Sequence, residues 1–514
     1  MVCFNLEQEL YTHFQYETFR LGQKTIIEDV LNGEDVLGIL PTGSGKSVCY
    51  QLPAKLLPGL TIVVSPLISL MTDQVKQLKA RHYTGVVALN SFLSMKDRQA
   101  VLRNLSAYKL IYISPELLQQ SHVLSMIQQQ TISLFVVDEA HCISQWGHEF
   151  RPDYLKLSAI IAQLGHPPIL ALSATATPRV QEDIMAALKR PHMMRHIFPM
   201  DRENIAFIVE ETENPQDKLE IMTSLLAKHH VPTIIYFSSR QLAEQLAITL
   251  SQKLPDRRIA YYHGGMEQTD RLLIQQQYMT DQVDVICCTS AFGMGIDKSN
   301  IRLVIHYHFP TELESYIQEV GRAGRDGEHS VALLLFSEAD IMISENLITR
   351  ELPDEANLEG IFQRIKQILQ TNDRESSDEE IAALINLNEI QWRYLKHQLI
   401  KHDIMNGKQV VCDDMKWERA REDIRAHIVE RMFIKRRQLR KMIAWIRESD
   451  CLRRQLYKHF QDGYTEKHAE CCSNCGYTIR DVQLKAQILE QQNNNWQDHL
   501  KKLLLQDNVY AKTE

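Results

Sequence analysis

Five short apolar runs rich in β-branched residues, VLGIL (36–40), TIVVS (61–65), LIYI (110–113), LFVV (134–137) and ILAL (169–172), recur with helix-length segments between them. Runs without polar alternation predict strands covered on both faces, and strands separated by crossover helices predict a doubly wound parallel α/β sheet. The pattern restarts after the polar passage EETENPQDK (210–218), with TIIYF (233–237), DVICC (284–288), RLVIH (302–306) and VALLLF (331–336). Two successive α/β domains follow, 1–208 and 209–345.

Beyond about residue 340 the spacing becomes helical, with ITRELPDEANLEG (348–360) as a linker. Within 346–424, helices at 378–388 and 389–402 precede the short run KQVVCDD, an order that suits a winged-helix-like insert. Residues 425–480 are read as a helical, cysteine-bearing module and 481–514 as a polar tail. From Arg425 to Lys458 there are eleven Lys/Arg against three Asp/Glu, a basic stripe in a chain whose formal net charge is −8. Such a stripe suits nucleic-acid phosphates without requiring a basic protein overall. No apolar run is long enough for a membrane span, and the N-terminus MVCFNLEQELYTHF carries acids where an export signal would be basic then apolar. The expectation is a cytoplasmic protein, nucleoid-associated if bacterial, whose ten scattered cysteines form no disulfide framework.

GILPTGSGKS (38–47) sits where a strand should turn into a helix. The backbone of Thr42, Gly43, Ser44 and Gly45 can close around phosphate oxygens, Lys46 can neutralise them, and Ser47 can ligate Mg²⁺. The strict G-x-x-x-x-G-K-S pattern fails at its first glycine, which is Leu40. Asp138 and Glu139 end an apolar strand, Asp138 placed to hold Mg²⁺ and Glu139 to deprotonate an attacking water. In the second α/β unit, Q-x-x-G-R-x-G-R places Gln318, Arg322 and Arg325 to reach the γ-phosphate across a closing interface.

The acids run directly into CISQWGHEFRPDY (142–154). Trp146, Phe150 and Tyr154 interleave with His148, Glu149, Arg151 and Asp153, polar groups that are costly to bury unpaired. An exposed platform for stacking single-stranded bases is expected, with Arg151 neutralising the backbone. Near the C-terminus, Cys451 followed by Cys471, Cys472 and Cys475 suits a closed tetrahedral zinc site rather than a redox pair, since no thioredoxin-like unit accompanies it.

Ten stretches, FQYETFRLGQ (14–23), PTGSGKS, SPLISLMTDQ (65–74), YISPE (112–116), DEAHCISQWGHEFRPDY, SATAT (173–177), YFSSR (236–240), YHGGM (262–266), TSAFGMGIDKSNIRLVIH (289–306) and SYIQEVGRAGRDG (315–327), resemble in order the RecQ family of superfamily-two DNA helicases. The resemblance spans about residues 10–340 and 425–478. It implies two RecA-like domains, an ATP- and Mg²⁺-dependent 3′→5′ helicase acting on single-stranded DNA and duplex junctions, and roles in repair and recombination. It also implies that Gln23 reads the adenine edge with Tyr16 and Arg20 flanking the ring, and that Ser65, Arg240, His263 and Thr289 lie on the single-strand track. Aligning CSNC with the family's last cysteine pair leaves His468 or Ala469 at the remaining position. The expected Zn²⁺ set is therefore Cys451, His468, Cys472 and Cys475, with Cys471 as the substitute for His468. The winged-helix-like segment precedes the zinc module here, the reverse of many relatives, and the tail is too short for a further helicase-and-RNaseD C-terminal domain. An RNA-remodelling ATPase and a non-catalytic DNA-binding scaffold are the competing readings.

Overall fold

A computed structural model describes residues 5–485 except 91–92, 145–150, 294–295, 297, 372–377, 407–408, 411–412 and 462–469. The first lobe is a seven-stranded sheet of β1 (Val36–Ile39), β2 (Leu60–Val64), β3 (Val86–Leu89), β4 (Leu110–Ile113), β5 (Ile132–Val137), β6 (Ile169–Ser173) and β7 (Met194–Ile197). Their order is β3-β4-β2-β5-β6-β1-β7, and every ladder is parallel. The second lobe is a six-stranded parallel sheet of β8 (Ile205–Glu211), β9 (Thr233–Tyr236), β10 (Ile259–Tyr262), β11 (Val285–Cys288), β12 (Leu303–His306) and β13 (Ser330–Phe336), ordered β10-β11-β9-β12-β13-β8. β1, β2, β4, β6, β9, β11, β12 and β13 are buried along their whole length, as continuous apolar runs between two helical layers require.

All nine apolar runs read from the sequence are strands. The strands it did not show are β3, β7, β8 and β10. β7 has the sequence MRHI and is mostly exposed at a sheet edge, where no apolar pattern is needed. Because β8 begins at Ile205, the second sheet starts slightly before the expected boundary at 208.

The open ends of an α/β sheet, at the strand C-termini, are where ligands bind. In the first lobe β2, β5, β6 and β1 are successive neighbours, so the segments following them, Ser65, Asp138–Glu139, Ala174–Thr177 and the glycine loop, converge at one rim.

The C-terminal region comprises α1 (Ala339–Glu351), α2 (Leu358–Thr371), α3 (Asp378–Leu384), α4 (Glu389–Lys401), the antiparallel pair β14 (Met405–Asn406) and β15 (Gln409–Val410), α5 (Asp414–Ile446) and α6 (Leu452–Tyr457). A capping box at Asn388 and Gln391 starts α4, and Trp392 Nε1 donates to Asp378 Oδ1 at 3.1 Å, joining α3 to α4. The expected domain boundary at 424/425 falls inside α5, which is 33 residues long and contains neither Gly nor Pro to stop it. Its first half packs Trp417, Ile424 and Ile428 with Phe362, Trp392 and Leu395. Its last turns pack Leu439, Met442 and Trp445 into the core shared with the second lobe, Trp445 lying 4.7 Å from Tyr316 between ring centres. The first residues of the expected polar tail are also packed. Val482 and Leu484 alternate inward onto the second lobe, where Lys228 Nζ donates to the Val482 carbonyl at 3.3 Å. Among the described residues no helix is long and apolar enough to cross a membrane.

Candidate nucleotide and nucleic-acid site

The glycine loop leaves β1 and enters a helix at Val48. Gly43 and Gly45 take φ of 79° and 73°, left-handed values that turn successive backbone N–H groups inward. Those of Gly43, Gly45, Lys46 and Ser47 take no partner among the described residues, and Ser44 Oγ is buried without one. This is an anion cradle at a helix N-terminus, into which Lys46 extends.

Asp138 follows β5, its N–H donating to the Val64 carbonyl at 2.9 Å, while its Oδ1 accepts the Glu139 N–H at 3.0 Å. Its side chain is buried, and burial followed by the Glu139 carboxylate pushes its pKa up to about 7, against the pull of Lys46. A buried carboxylate pair beside the phosphate loop fits a cation, and Mg²⁺ on Asp138 and Ser47 would supply the charge. Glu139 adopts φ 48° and ψ 50°, an unfavourable backbone for a non-glycine residue and of the kind found where function fixes a side chain. His141 Nδ1 lies 2.9 Å from Ser173 Oγ and 3.4 Å from Glu139 Oε2, joining the acid pair to the SATAT segment.

The second lobe closes this cradle. Thr42 Oγ1 donates to the Gly321 carbonyl at 3.0 Å, and a Cβ on Gly321 would lie 1.9 Å from that hydroxyl, so the approach requires glycine. Gln318, Arg322 and Arg325 line one cavity of about 130 Å³ together with Lys46, Ser47, Asp138 and Glu139. The sites expected from opposite halves of the chain are thus brought together. A second cleft of about 580 Å³ continues from it, lined by Tyr16, Arg20, Gln23 and Arg81. Gln23 Nε2 donates to the carbonyls of Ser44 and Gly45 at 2.9 and 3.0 Å, its Oε1 accepts from the Arg20 N–H at 3.0 Å, and Arg20 Nη1 donates to the Gly43 carbonyl at 2.6 Å. The expected base-reading residues therefore also grip the phosphate loop.

Ser65 is buried after β2, its hydroxyl without a partner among the described residues. In the second lobe Arg240, His263 and Thr289 follow the neighbouring strands β9, β10 and β11 and share its rim. Arg240 is exposed and lies along Gly264–Gly265, and His263 Nε2 pairs with Glu244 Oε1 at 2.6 Å. Trp146, His148 and Phe150 lie outside the described residues. Tyr154 corrects the expectation of exposure. It is 1% exposed, because the turn Pro152–Lys156 folds its ring under β5, where its hydroxyl donates to the Asp138 carbonyl at 3.2 Å. A tyrosine whose hydroxyl finds a backbone acceptor loses little by burial. Arg151 is half-buried and donates to the Pro66 carbonyl at 3.0 Å.

In the cysteine module, the sulfurs of Cys451, Cys471, Cys472 and Cys475 all lie within 4.8 Å of one another. Cys451 Sγ is 3.6 Å from Cys471 Sγ and 3.9 Å from Cys472 Sγ. A tetrahedron of Zn–S bonds of about 2.3 Å has edges of about 3.8 Å, so these spacings fit a Cys₄ zinc site and are too long for disulfides. The cluster includes Cys471, the expected substitute for His468; His468 itself lies outside the described residues. The module is sewn to the edge strand β8, the Phe207 N–H donating to the Cys471 carbonyl at 3.1 Å.

The chain matches the DEAD/DEAH box helicase family over residues 20–184 and the helicase conserved C-terminal domain over 217–327. It is 41% identical over 476 residues to a probable ATP-dependent DNA helicase RecS of Bacillus subtilis, covering 92% of each chain. It is 43% identical over 331 residues to the ATP-dependent DNA helicase RecQ of Haemophilus influenzae, covering 64% of this chain and 52% of that one. The chain belongs to the RecQ family. Solved structures of the Mycobacterium smegmatis helicase Lhr with ssDNA and AMP-PNP (TM-score 0.56, 19% identity, 78% of this chain, 58% of that) and of the DEAD-box helicase Mss116 with ssRNA and UDP-BeF (0.57, 16%, 77% and 93%) share the fold.

Three residues of this RecQ-family site were given no role from the sequence, although Gln74 ends the stretch SPLISLMTDQ. Arg81, at the end of the helix Ile68–Ala80, stacks its guanidinium 5.3 Å from the Tyr16 ring centre and donates to the Tyr16 hydroxyl at 3.0 Å. Gln74 lines both cavities and accepts from Gln51 Nε2 at 2.7 Å. Arg202 lies between the lobes, within reach of the Thr42 and Gly321 carbonyls. Arg81 and Arg202 are placed by tertiary packing rather than by spacing within a motif.

Proposed function

We propose that this RecQ-family chain is an ATP- and Mg²⁺-dependent DNA helicase that moves 3′→5′ on single-stranded DNA and opens duplex junctions, in DNA repair and recombination. The observation that carries the reading is the meeting, in one cavity, of Lys46, Asp138 and Glu139 from one lobe with Gln318, Arg322 and Arg325 from the other. Bound at Ser47 and Asp138, Mg²⁺ would neutralise phosphate charge. Lys46 and the loop N–H groups hold the β- and γ-phosphates. Glu139 takes the proton of the attacking water as its oxygen bonds the γ-phosphorus, and the bond to ADP breaks. Arg322 and Arg325 neutralise the charge that develops on the transferring group, so hydrolysis requires closed lobes.

The single strand runs over the rims that carry Ser65, Arg240, His263 and Thr289, and the loop at 145–150 stacks its bases. The exposed Arg436, Arg437, Arg440 and Lys441 of α5 suit duplex phosphates. Cys451, Cys471, Cys472 and Cys475 would hold a structural Zn²⁺. Strand separation of tailed duplexes of both polarities, with Lys46→Ala as control, tests the reading, as does comparing DNA with RNA as ATPase activator. Unwinding of 3′-tailed DNA and preference for DNA are expected. Active ATPase without separation of any duplex would reduce the chain to a translocase, and preference for RNA would make it an RNA-remodelling enzyme.

A further inference from the structure

The connector between the lobes, residues 198–204, is gripped from two sides. From the cysteine module, Arg453 Nη1 pairs with Asp201 Oδ1 at 2.6 Å, with the two side chains 1% and 3% exposed. The same guanidinium donates to the Arg202 carbonyl at 2.8 Å and to the Ile205 carbonyl, and lies 5.1 Å from the Phe207 ring centre. Gln461 Oε1 accepts the N–H groups of Met200 and Asp201 at 2.8 and 3.3 Å.

From the other side, Arg202 reaches the contact between the phosphate loop and the arginine-bearing loop. Its Nη1 donates to the Thr42 carbonyl at 3.5 Å and the Gly321 carbonyl at 3.3 Å, and its Nη2 donates to Asn204 Oδ1 at 3.4 Å and to the Gly324 carbonyl. Gly321 and Gly324 bracket Arg322, and Gly324 precedes Arg325. The Gly321 carbonyl accepts from both Thr42 Oγ1 and Arg202, so one oxygen joins the phosphate loop, the connector and the arginine-bearing loop. A rigid fork of donors suits such a junction, where a lysine could serve only as a point charge.

We propose that Arg202 is a positioning residue for hydrolysis, held by Arg453 and Asp201, and that the cysteine module thereby sets how closely the arginine-bearing loop approaches the phosphate loop. The proposal rests on the reading of the cleft as the site of ATP hydrolysis. The buried Arg453–Asp201 pair costs least when both charges are removed together, so the test uses Asp201→Asn with Arg453→Met in one chain.

In the full-length protein with single-stranded DNA, Arg202→Met should lower kcat by about tenfold or more, with KM for ATP and affinity for a fluorescent ATP analogue within about threefold of the parent. The Asp201→Asn, Arg453→Met pair should lower kcat with the same KM pattern, and adding Arg202→Met to it should cost little more, as residues acting through one another require. Thermal melting and zinc content of each variant report folding, and Arg202→Lys carries the comparison if Arg202→Met does not fold. A folded Arg202 variant with parental kcat, a change confined to KM, or fully multiplicative losses would overturn the proposal. A parent chain without DNA-stimulated hydrolysis would sink the cleft reading itself, and this proposal with it.

Discussion

Replacing Asp138 with asparagine should stabilise the nucleotide- and magnesium-free protein while it removes hydrolysis. Asp138 is 6% exposed, and its pKa is pushed from an ordinary 3.8 up to about 7 by burial and then by Glu139. The folded chain therefore holds this proton more tightly than the unfolded chain, and the contribution of this group to stability falls as pH rises from about 4 to about 7, then stays level. A difference of about 3 pH units corresponds to about 4 kcal/mol, an upper bound for what the ionised form costs. Asparagine keeps the oxygen that accepts the Glu139 N–H and drops the charge, but sets its amide beside Lys46, which offsets part of the gain. A net stabilisation of about 1–3 kcal/mol near pH 8 is expected, read as a rise in melting temperature, and it should shrink by more than half near pH 5. Adding Mg²⁺ and ATP should narrow the gap by stabilising the parent preferentially. A lower melting temperature for the variant, or a gain independent of pH, would refute the argument that this carboxylate is held against its own solvation.

Arg81→Ala removes the cation from the Tyr16 ring, an interaction of about 0.5–1 kcal/mol, so KM for ATP should rise about two- to fivefold with kcat unchanged; a fall in kcat at constant KM would place Arg81 elsewhere in the cycle. Cys475→Ser should lower bound zinc and the melting temperature together, whereas a parent protein carrying less than about half an equivalent of zinc would remove the Cys₄ site. Tyr154→Phe leaves the buried Asp138 carbonyl without its hydroxyl donor, at about 1 kcal/mol. Stimulation of ATPase by single-stranded DNA should fall several-fold while nucleotide binding persists, and unchanged stimulation would show that this hydrogen bond does not transmit the signal.

Motifs whose chemistry depends on spacing along one strand or turn were legible. The glycine loop needs left-handed backbone at Gly43 and Gly45, and the acids need the end of a buried strand; both conditions are written within about ten residues. The apolar strands were legible because a sheet covered on both faces leaves no room for polar alternation. Tyr154 was not legible, since its polar neighbours argue for exposure while its own ring reaches a carbonyl sixteen positions earlier in the chain. The continuity of α5 was obscured because one helix serves two cores, its basic stripe beginning where its first core is still being packed. Arg81, Arg202 and Arg453 belong to no periodicity; their partners Tyr16, Gly321 and Asp201 lie 65, 119 and 252 positions away, and only tertiary packing brings them together.

The adjacency of acids and aromatics acquires a mechanical sense from its anchors. On the near side of the 145–150 loop, Ser144 Oγ donates to Asp183 Oδ2 at 2.5 Å. On the far side, Arg151 holds the Pro66 carbonyl, next to Ser65, and Tyr154 holds the Asp138 carbonyl, next to Glu139. On the proposed reading, a base stacked beside these anchors would act on β2 through Arg151 and on β5 through Tyr154, strands that are direct neighbours in the sheet. Glu139, tied through His141 to Ser173, is the residue in this array whose observed backbone is left-handed and strained. On that reading a pull on these anchors would reach the Glu139 carboxylate, because a packed sheet does not deform to absorb it.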